Sequence, residues 1–359
     1  MRINMDFNKA QVYLITDEKQ RLYFTGFHST AGYVVLTEEQ TAFVVDNRYF
    51  YAAEKKLAPK GIRVCCGADY TVLKEYLAAP GVKALGVDYS VTTAKQLEAL
   101  KALGTETVDV GSEIEARMTL KTDEELENIA KACKIAEKAF LQAIATIEEG
   151  MTERRLAAEL EYRFKLNGAS DKSFDTIIGF GENSAVPHHE TGDKRLKEGM
   201  PILMDFGCVY NGYCSDITRT FYFGTPTREF TKAYDAVLRS HVLAYENAAA
   251  GMTGVEIDKI ARDSLTEDGY GQYFTHSLGH GIGVNIHEAP WVSPKGANKV
   301  ENGAVFSIEP GVYLNGKFGI RIEDTVVMKD GKPHTMMKTP KELCVLKGGK
   351  LVKYNGKGK

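Results

Sequence analysis

The stretch "EEGMTERRLAAELEYRFKLNG" (148–168) returns in altered form as "AAGMTGVEIDKIARDSLTEDG" (249–269). Each copy places Gly-Met-Thr after a long helical pattern, and each carries a second glycine 18 residues after the first. The copies lie 101 residues apart, and each leads into a glycine-rich segment with strand-like patterns. Helical periodicity alone reproduces part of this match, but the shared Gly-Met-Thr and the shared second glycine favour a repeat. We therefore predict two related α/β halves from residue 116 onward, with pseudo-twofold symmetry and a site where their sheets meet.

The helices around the first copy carry clear end signals. Thr122 and Glu125 form the pattern of a capping box, which satisfies free N–H groups at a helix start. This predicts one helix from there to Gly150 and a second that ends at Gly168.

The first third of the chain alternates strand-like and helix-like patterns and predicts a separate α/β domain over residues 1–115. Strands are expected within 11–27, 31–49, 61–67 and 83–90, and helices within 48–58, 71–79 and 92–103. The stretch 109–122 reads as a connection to a second domain over 116–359.

Composition excludes several classes of protein. The 359 residues carry a formal net charge of -3, which gives no electrostatic case for nucleic acid or an anionic membrane as partner. The N-terminus has no apolar signal stretch, which predicts a cytoplasmic protein. The six cysteines show no C-x-x-C spacing and are expected as free thiols, although the neighbours Cys65 and Cys66 leave a redox role open.

One pair of carboxylates lies in "PILMDFGCVYNGYCSDITRTF" (201–221). Asn211-Gly212 is a strong hairpin-turn signal, and this turn would pair Asp205 with Thr218. Asp216 would then lie diagonal to Asp205 on one face of the sheet. Two carboxylates so close repel each other unless a cation compensates, which indicates a metal site.

A second pair, Glu309 in "FSIEPGVY" and Glu323 in "GIRIEDTV", flanks Asn315-Gly316. A two-residue turn there would place the glutamates on opposite faces of the hairpin. A three-residue loop or a bulge would place them opposite each other on one face, which the metal interpretation requires.

The stretch "FTHSLGHGIGVNIHE" (274–288) holds three of the eight histidines. Glycines around His280 argue against a helix and would let the backbone approach a ligand or metal closely. Each acidic residue or histidine alone is ordinary, but four carboxylates with His280 predict a site for two divalent ions. Hard oxygen ligands favour Mn²⁺, with Co²⁺, Zn²⁺ or Fe²⁺ possible. His188, His276 and His287 would serve as oxyanion donors and proton carriers.

In order along the chain, these motifs resemble the pita-bread metallopeptidases, a family that includes Xaa-Pro aminopeptidases, Xaa-Pro dipeptidases (prolidases) and methionine aminopeptidases. The resemblance covers the whole chain. It implies a creatinase-type α/β N-terminal domain and an α+β pita-bread catalytic domain with the internal repeat. It also implies a homodimer that acts on proline-containing peptides.

The resemblance further implies residue roles. Asp205 and bridging Asp216 would hold one ion, and His280 with Glu309 the other, with Glu323 bridging. Glu309 would also be the general base. Further catalytic groups would be His188, His276, His287 and Arg321, with His188 and His287 also contacting substrate, whereas His189 has no assigned role.

The choice between relatives rests on fewer residues. A dipeptidase must hold a free substrate carboxylate, which favours a cation, and some prolidases have an arginine just after an H-E-x-P-like stretch. This chain has Trp291 there, in "HEAPWV", where its ring would stack on proline. The main prediction is therefore an Xaa-Pro aminopeptidase, with an Xaa-Pro dipeptidase as the alternative. More remote are a non-catalytic peptide-binding module and a metal-free C–N hydrolase of the creatinase type.

Overall fold

The computed structural model describes residues 5–356, and the chain divides into two compact units, Met1–Met118 and Thr119–Lys359. Within the described residues, no helix is long and apolar enough to cross a membrane. All six cysteines are free thiols, as the sequence predicts, and four of them are buried.

The first unit is built on a mixed six-stranded sheet with the order β4-β3-β2-β1-β5-β6. Its strands are β1 (Val12–Ile15), β2 (Tyr33–Leu36), β3 (Thr41–Val45), β4 (Arg63–Cys66), β5 (Ala84–Val87) and β6 (Glu106–Asp109). Its helices are α1 (Glu18–Thr25), α2 (Asn47–Leu57), α3 (Thr71–Leu77) and α4 (Ala94–Lys101), and α5 (Gly111–Thr119) follows β6. Val12, Val35, Val44, Leu85 and Leu100 are among the residues of its core.

Two predictions for this unit are wrong. Residues 18–25 form α1 rather than a strand, because the Asp17 side chain caps the first turn and Gly26, with φ 67°, ends the helix. The stretch read as a connection contains α5. Both helices are short, and their apolar residues are too few to reveal the helical period in the sequence.

The second unit contains two pairs of packed helices. The pairs are α6 (Asp123–Ile144) with α7 (Glu153–Leu166), and α8 (Arg228–Asn247) with α9 (Gly254–Glu267). The capping box of Thr122 and Glu125 is present. Helix α6 ends at Ile144, however, and not at Gly150, because residues 145–150 turn towards the repeated Gly-Met-Thr segment.

The repeat predicted from the sequence is confirmed in these helices. Thr152 and Thr253 each cap the helix that follows, and the two helices have the same length. The backbone N–H of Gly150 donates to Leu196 O at 2.8 Å, and that of Gly251 donates to Val300 O at 2.9 Å. The Gly-Met-Thr segment therefore docks on the following chain in the same way in both halves.

The unit has two five-stranded sheets, with the orders β21-β20-β12-β9-β8, in which the last two strands of the chain join the first half, and β14-β13-β15-β18-β19. Smaller sheets are β11-β10-β7 and β16-β17. The strands of the first half are β7 (Asp171–Lys172), β8 (Ile177–Phe180), β9 (Met200–Phe206), β10 (Cys208–Tyr210), β11 (Tyr213–Cys214) and β12 (Ile217–Phe223). Those that follow are β13 (Gly279–Gly281), β14 (Glu288–Val292), β15 (Val305–Ile308), β16 (Gly311–Leu314), β17 (Phe318–Arg321), β18 (Asp324–Lys329), β19 (Lys332–Thr335), β20 (Cys344–Lys347) and β21 (Lys350–Lys353).

Each helix pair buries its apolar face in a core of its own. In the first, the ring of Phe140 on α6 stacks on Phe206 of β9 with centroids 5.2 Å apart. In the second, Phe230 of α8 packs against Phe318 of β17 at 5.1 Å. The central antiparallel pairs, β9–β12 and β15–β18, therefore rest on rigid supports, and these pairs carry the acidic residues described next.

Candidate metal centre

The first acidic pair lies on the hairpin of β9 to β12 in the register that the sequence predicts. Tyr210 pairs with Tyr213, and Asp205 pairs with Thr218. Asn211 and Gly212 both have positive φ, 49° and 88°, as the tight turn requires. Asp216, two residues before Thr218, is therefore on the same face as Asp205.

The second acidic pair lies beyond the hairpin of β16 and β17. Leu314 pairs with Phe318, so the turn has three residues, with Gly316 at φ 74°. Ile308 pairs with Asp324 in the same register. Glu309 and Glu323 are therefore opposite each other on one face, which is the arrangement that a two-ion site requires.

The repeat relates the two hairpins. Asp205 lies six residues after Gly199 and Glu309 six residues after Gly303, and both glycines have positive φ just before a central strand. The sheets meet where the backbone N–H of Glu323 donates to Thr218 O at 3.1 Å. Equivalent positions of the two halves thus bring their carboxylates to one junction.

His280 lies on β13, a short extended strand, as the glycines around it predict. A Cβ at Gly279 would lie 2.0 Å from Ser307 O, and one at Gly281 would lie 2.1 Å from Ala289 O. The close approach is therefore to neighbouring strands and not to the metal site, which corrects the sequence-based explanation of these glycines. Their small size lets β13 fit between β14 and β15.

The five predicted ligands come together. Single ligand atoms of Asp216, His280 and Glu323 lie within 4.8 Å of one another. His280 Nε2 is 3.3 Å from Glu309 Oε1 and 3.6 Å from Asp216 Oδ2. Within residues 5–356, three buried carboxylate oxygens have no hydrogen-bond partner, namely Asp205 Oδ1, Asp216 Oδ1 and Glu323 Oε1.

The pKa shifts of the four acidic side chains indicate whether the cluster suits cations. Burial, together with neighbouring carboxylates, raises the pKa of Asp216 and of Glu323 well above the usual range, and burial also raises the pKa of Asp205. Glu309 differs: burial opposes its ionisation, but the hydrogen bond and charge of His280 lower its pKa to about 2. A site for divalent cations presents converging oxygens that lack partners and that cannot all ionise without a cation. The donor atoms of this cluster therefore fit divalent metal ions.

Arg321, predicted as a catalytic group, is buried against the cluster. Its Nη2 lies 2.5 Å from Asp205 Oδ2, its Nε donates to Thr218 Oγ1 at 3.0 Å, and its Nη1 donates to Tyr313 Oη at 2.6 Å. Tyr313 also contacts His276 Nε2 at 2.8 Å. Sequence reasoning missed Tyr313, although its place four residues after Glu309 on a strand gave a usable signal.

The remaining histidines surround a cavity of about 810 Å³ above the cluster. His188, His276 and His287 all line it, and the ring of His287 lies 4.3 Å from that of His280. Burial lowers the pKa of His276 and of His287, which favours the neutral form of both rings. One face of α7, including Ala157 and Ala158, forms another wall.

Trp291 is not where the sequence-based prediction needs it. Trp291 is not one of the described residues that line the cavity, and the residue is 43% exposed. In β14 it alternates with the buried residues Pro290 and Val292 and points to the outer face. The structure therefore gives no support to Trp291 as a wall of a proline pocket.

His189, which had no role in the sequence, also lines the cavity and contacts Glu153. Its Nε2 lies 2.9 Å from Glu153 Oε2. Sequence reasoning missed Glu153 because a glutamate in the first turn of a helix is usually a solvated residue that favours the helix dipole.

Two family models match the chain. The model described as metallopeptidase family M24 matches residues 127–330, and that of the Creatinase/Prolidase N-terminal domain matches residues 1–118. The chain therefore belongs to the metallopeptidase family M24. It is an enzyme of the metallopeptidase class with the pita-bread fold and a creatinase-type N-terminal domain, and its family implies the use of divalent metal ions.

Individual relatives are similar over nearly the whole chain. The Xaa-Pro dipeptidase of Pyrococcus horikoshii is 38% identical over 344 residues, which cover 94% of this chain and 96% of the relative. The solved Xaa-Pro dipeptidase from Bacillus anthracis has a TM-score of 0.89 and 34% identity, and covers 94% of this chain and 95% of its own. The X-Pro aminopeptidase from Thermotoga maritima has a TM-score of 0.88 and 34% identity, with coverages of 94% and 97%.

Proposed function

We propose that this metallopeptidase is an Xaa-Pro dipeptidase, which hydrolyses the bond between the two residues of a dipeptide that ends in proline. The observation that carries hydrolysis is the cluster of buried carboxylates at the floor of the histidine-lined cavity, three of whose oxygens have no hydrogen-bond partner among the described residues. The dipeptidase is preferred because two relatives with that name are 38% identical over almost the whole chain, whereas the solved X-Pro aminopeptidase is 34% identical. Trp291, the residue that favoured an aminopeptidase, lies outside the cavity.

In this proposal Asp205, Asp216, His280, Glu309 and Glu323 hold two divalent ions, with Mn²⁺ favoured by the four oxygen-donor side chains. When bound, such ions polarise the substrate carbonyl and lower the pKa of water. Activity and bound metal should both return when apo-protein is given Mn²⁺, and this can be compared with Co²⁺, Zn²⁺ and Fe²⁺ by elemental analysis.

The chain's own groups would handle the protons. Glu309 is ionised at neutral pH, so one of its oxygens can take a proton from the attacking water and pass it to the proline nitrogen as that nitrogen leaves. The rings of His287 and His188 would donate hydrogen bonds to the carbonyl oxygen as it gains negative charge. The bond to proline suits a dedicated enzyme because its nitrogen carries no hydrogen and its geometry is restricted.

An Xaa-Pro aminopeptidase is the second candidate. The cavity of about 810 Å³ lies high in the range of roughly 300–1,000 Å³ for small-ligand sites, and it extends to Ala157 and Ala158 on α7, which leaves room beyond a dipeptide. A solved structure of this activity is also among the close relatives.

Release of the free N-terminal amino acid separates the candidates. Metal-loaded protein is given an Xaa-Pro dipeptide and the matching Xaa-Pro-Yaa tripeptide, with Glu323→Gln as the inactive control. Cleavage of the dipeptide alone is expected. Comparable kcat/KM on the tripeptide would establish the aminopeptidase instead. Failure to cleave either peptide with any of the four metals would overturn both and leave a peptide-binding module.

The cytoplasmic location and the homodimer predicted from the sequence remain part of this proposal. Sedimentation equilibrium of the purified protein tests the dimer, and cell fractionation tests the location.

A further inference from the structure

The segment 186–192 carries two adjacent histidines that line the cavity but differ in exposure. It follows β8 and the short 3₁₀ helix Gly181–Ala185. His188 is exposed and lines the cavity beside the acidic cluster. His189, the next residue, is largely buried, with 15% of its side chain exposed.

The partner of His189 is Glu153, a fully buried carboxylate in the first turn of α7. Each Glu153 oxygen accepts two hydrogen bonds. Oε1 accepts from Phe180 N at 2.8 Å and from Asn183 Nδ2 at 2.9 Å. Oε2 accepts from His189 Nε2 at 2.9 Å and from Gly192 N at 3.1 Å. One carboxylate therefore ties α7 to the end of β8, to the 3₁₀ helix and to both His189 and Gly192 of the segment.

A second contact holds the other side of His188. The carbonyl oxygen of Pro187 accepts from Arg321 Nη1 at 3.4 Å, and Arg321 is itself bound to Asp205. His188 thus lies between two anchors, one on the acidic cluster and one on α7. Because the His188 ring is exposed while both of its chain neighbours are held in place, those neighbours set the direction in which the ring points.

We propose that Glu153 and His189 are positioning residues, which hold segment 186–192 so that His188 faces the reacting carbonyl. This inference rests on the proposed Xaa-Pro hydrolysis and assigns a role to the histidine that the sequence left without one. Buried hydrogen bonds to a charged acceptor are the strong class of such bonds, and misplacing a catalytic group by about 1 Å can cost on the order of 100-fold in rate.

The test is a double-mutant cycle with Glu153→Gln and His188→Ala. The glutamine turns one acceptor oxygen into an N–H₂ group that faces the donors of His189 and Gly192. Glu153→Gln should lower kcat/KM for an Xaa-Pro dipeptide about 10- to 100-fold, with bound metal unchanged. In the His188→Ala background the same substitution should change kcat/KM less than about twofold, because Glu153 acts through His188.

Two matched controls separate positioning from general stability. Glu148→Gln makes the same change five residues earlier, where the carboxylate is exposed and pairs with Arg155, and should leave kcat/KM unchanged. At the other partner, His189→Gln keeps a donor near the place of Nε2 and should retain most activity, whereas His189→Leu should match Glu153→Gln. Equal losses in both His188 backgrounds, or no loss at all, would overturn the inference.

Hydrogen exchange of residues 186–192 provides a readout that needs no activity. Exchange should be faster in Glu153→Gln than in Glu148→Gln, with or without metal. If wild-type protein cleaves no Xaa-Pro peptide, the proposed function fails, and unchanged exchange in Glu153→Gln would then overturn the anchoring as well.

Discussion

At Asp216, burial and the neighbouring carboxylates both raise the pKa of the side chain. Its charge is disfavoured by burial and by Glu323 and Asp205, and its Oδ1 has no hydrogen-bond partner in the part of the chain that the structure describes. The same oxygens that destabilise the metal-free protein are the ones that would bind a cation. A neutral side chain of the same shape should therefore have opposite effects in the two states.

We predict that Asp216→Asn melts at a higher temperature than wild type in EDTA at pH 8, by about 2–4 °C per kcal/mol of repulsion removed. With saturating Mn²⁺ the order should reverse, because the variant has lost a ligand. Differential scanning calorimetry in both conditions measures this. Asp263→Asn, at an exposed carboxylate paired with Lys259, is the control and should shift neither curve. A lower melting temperature in EDTA would contradict the charge argument.

His241 gives a second prediction, outside the metal centre. It lies fully buried on α8, neither ring nitrogen has a partner in the described structure, and burial lowers its pKa from 6.5 to about 3. Because the folded pKa lies below the unfolded one, the unfolded state binds the proton more readily. Stability should fall by about 1.4 kcal/mol for each pH unit below 6.5, until the pH approaches the folded pKa.

His241→Leu should remove this dependence. The free energy of unfolding from urea titration, measured at pH 7.5 and 5.0, should fall less in the variant by about 2 kcal/mol. His334→Leu, at an exposed position on β19, should keep the wild-type slope. Parallel pH curves for wild type and His241→Leu would show that His241 is not buried as a neutral ring.

At the level of elements, the turn between β16 and β17 decides whether the second acidic pair forms. The side-chain direction alternates at each residue of a strand, so a change of one residue in the turn moves one glutamate to the other face. Deleting Lys317 should therefore abolish metal binding at Glu309 and Glu323 and lower kcat/KM at least about 100-fold. Elemental analysis and peptide hydrolysis measure both effects.

The control for this deletion is Lys317→Ala. It removes the same side chain, which pairs with Glu229 on the surface, but keeps the length of the turn. Metal content and activity should stay within about twofold of wild type, because exposed ion pairs contribute little. Full activity of the deletion variant would mean that the strands re-register without cost to the site.

Elements with strong local signals were the ones the sequence could predict. Asn211-Gly212 fixed the first hairpin through its turn chemistry, and Thr122 with Glu125 fixed the start of α6. Asn315-Gly316 left two registers open because the length of the loop depends on whether Lys317 belongs to the turn or to the strand. The local sequence does not decide this, since it depends on the packing of the hairpin in the folded protein. Trp291 was misplaced for a related reason, since its face of β14 is set by the neighbouring strand and α9.

For the molecule as a whole, the repeat means that neither half of the catalytic unit holds the site alone. Asp205 and Asp216 come from the first half, whereas His280, Glu309 and Glu323 come from the second. A ligand that binds only the folded state stabilises it by RT ln(1 + [L]/Kd), or about 2.7 kcal/mol at a concentration of 100 Kd. Because the ligands are shared, that stabilisation should reach both central hairpins.

We predict that Mn²⁺ slows hydrogen exchange in β9–β12 and in β15–β18 together, relative to protein in EDTA. Asp205→Asn in the first half and Glu309→Gln in the second should each reduce the protection of both hairpins, since loss of one ligand weakens a centre built from both halves. Strands β1 and β2, whose core belongs to the first unit, serve as the internal control and should exchange at the same rate throughout. Protection confined to the hairpin that keeps its ligands would show that each half binds metal independently.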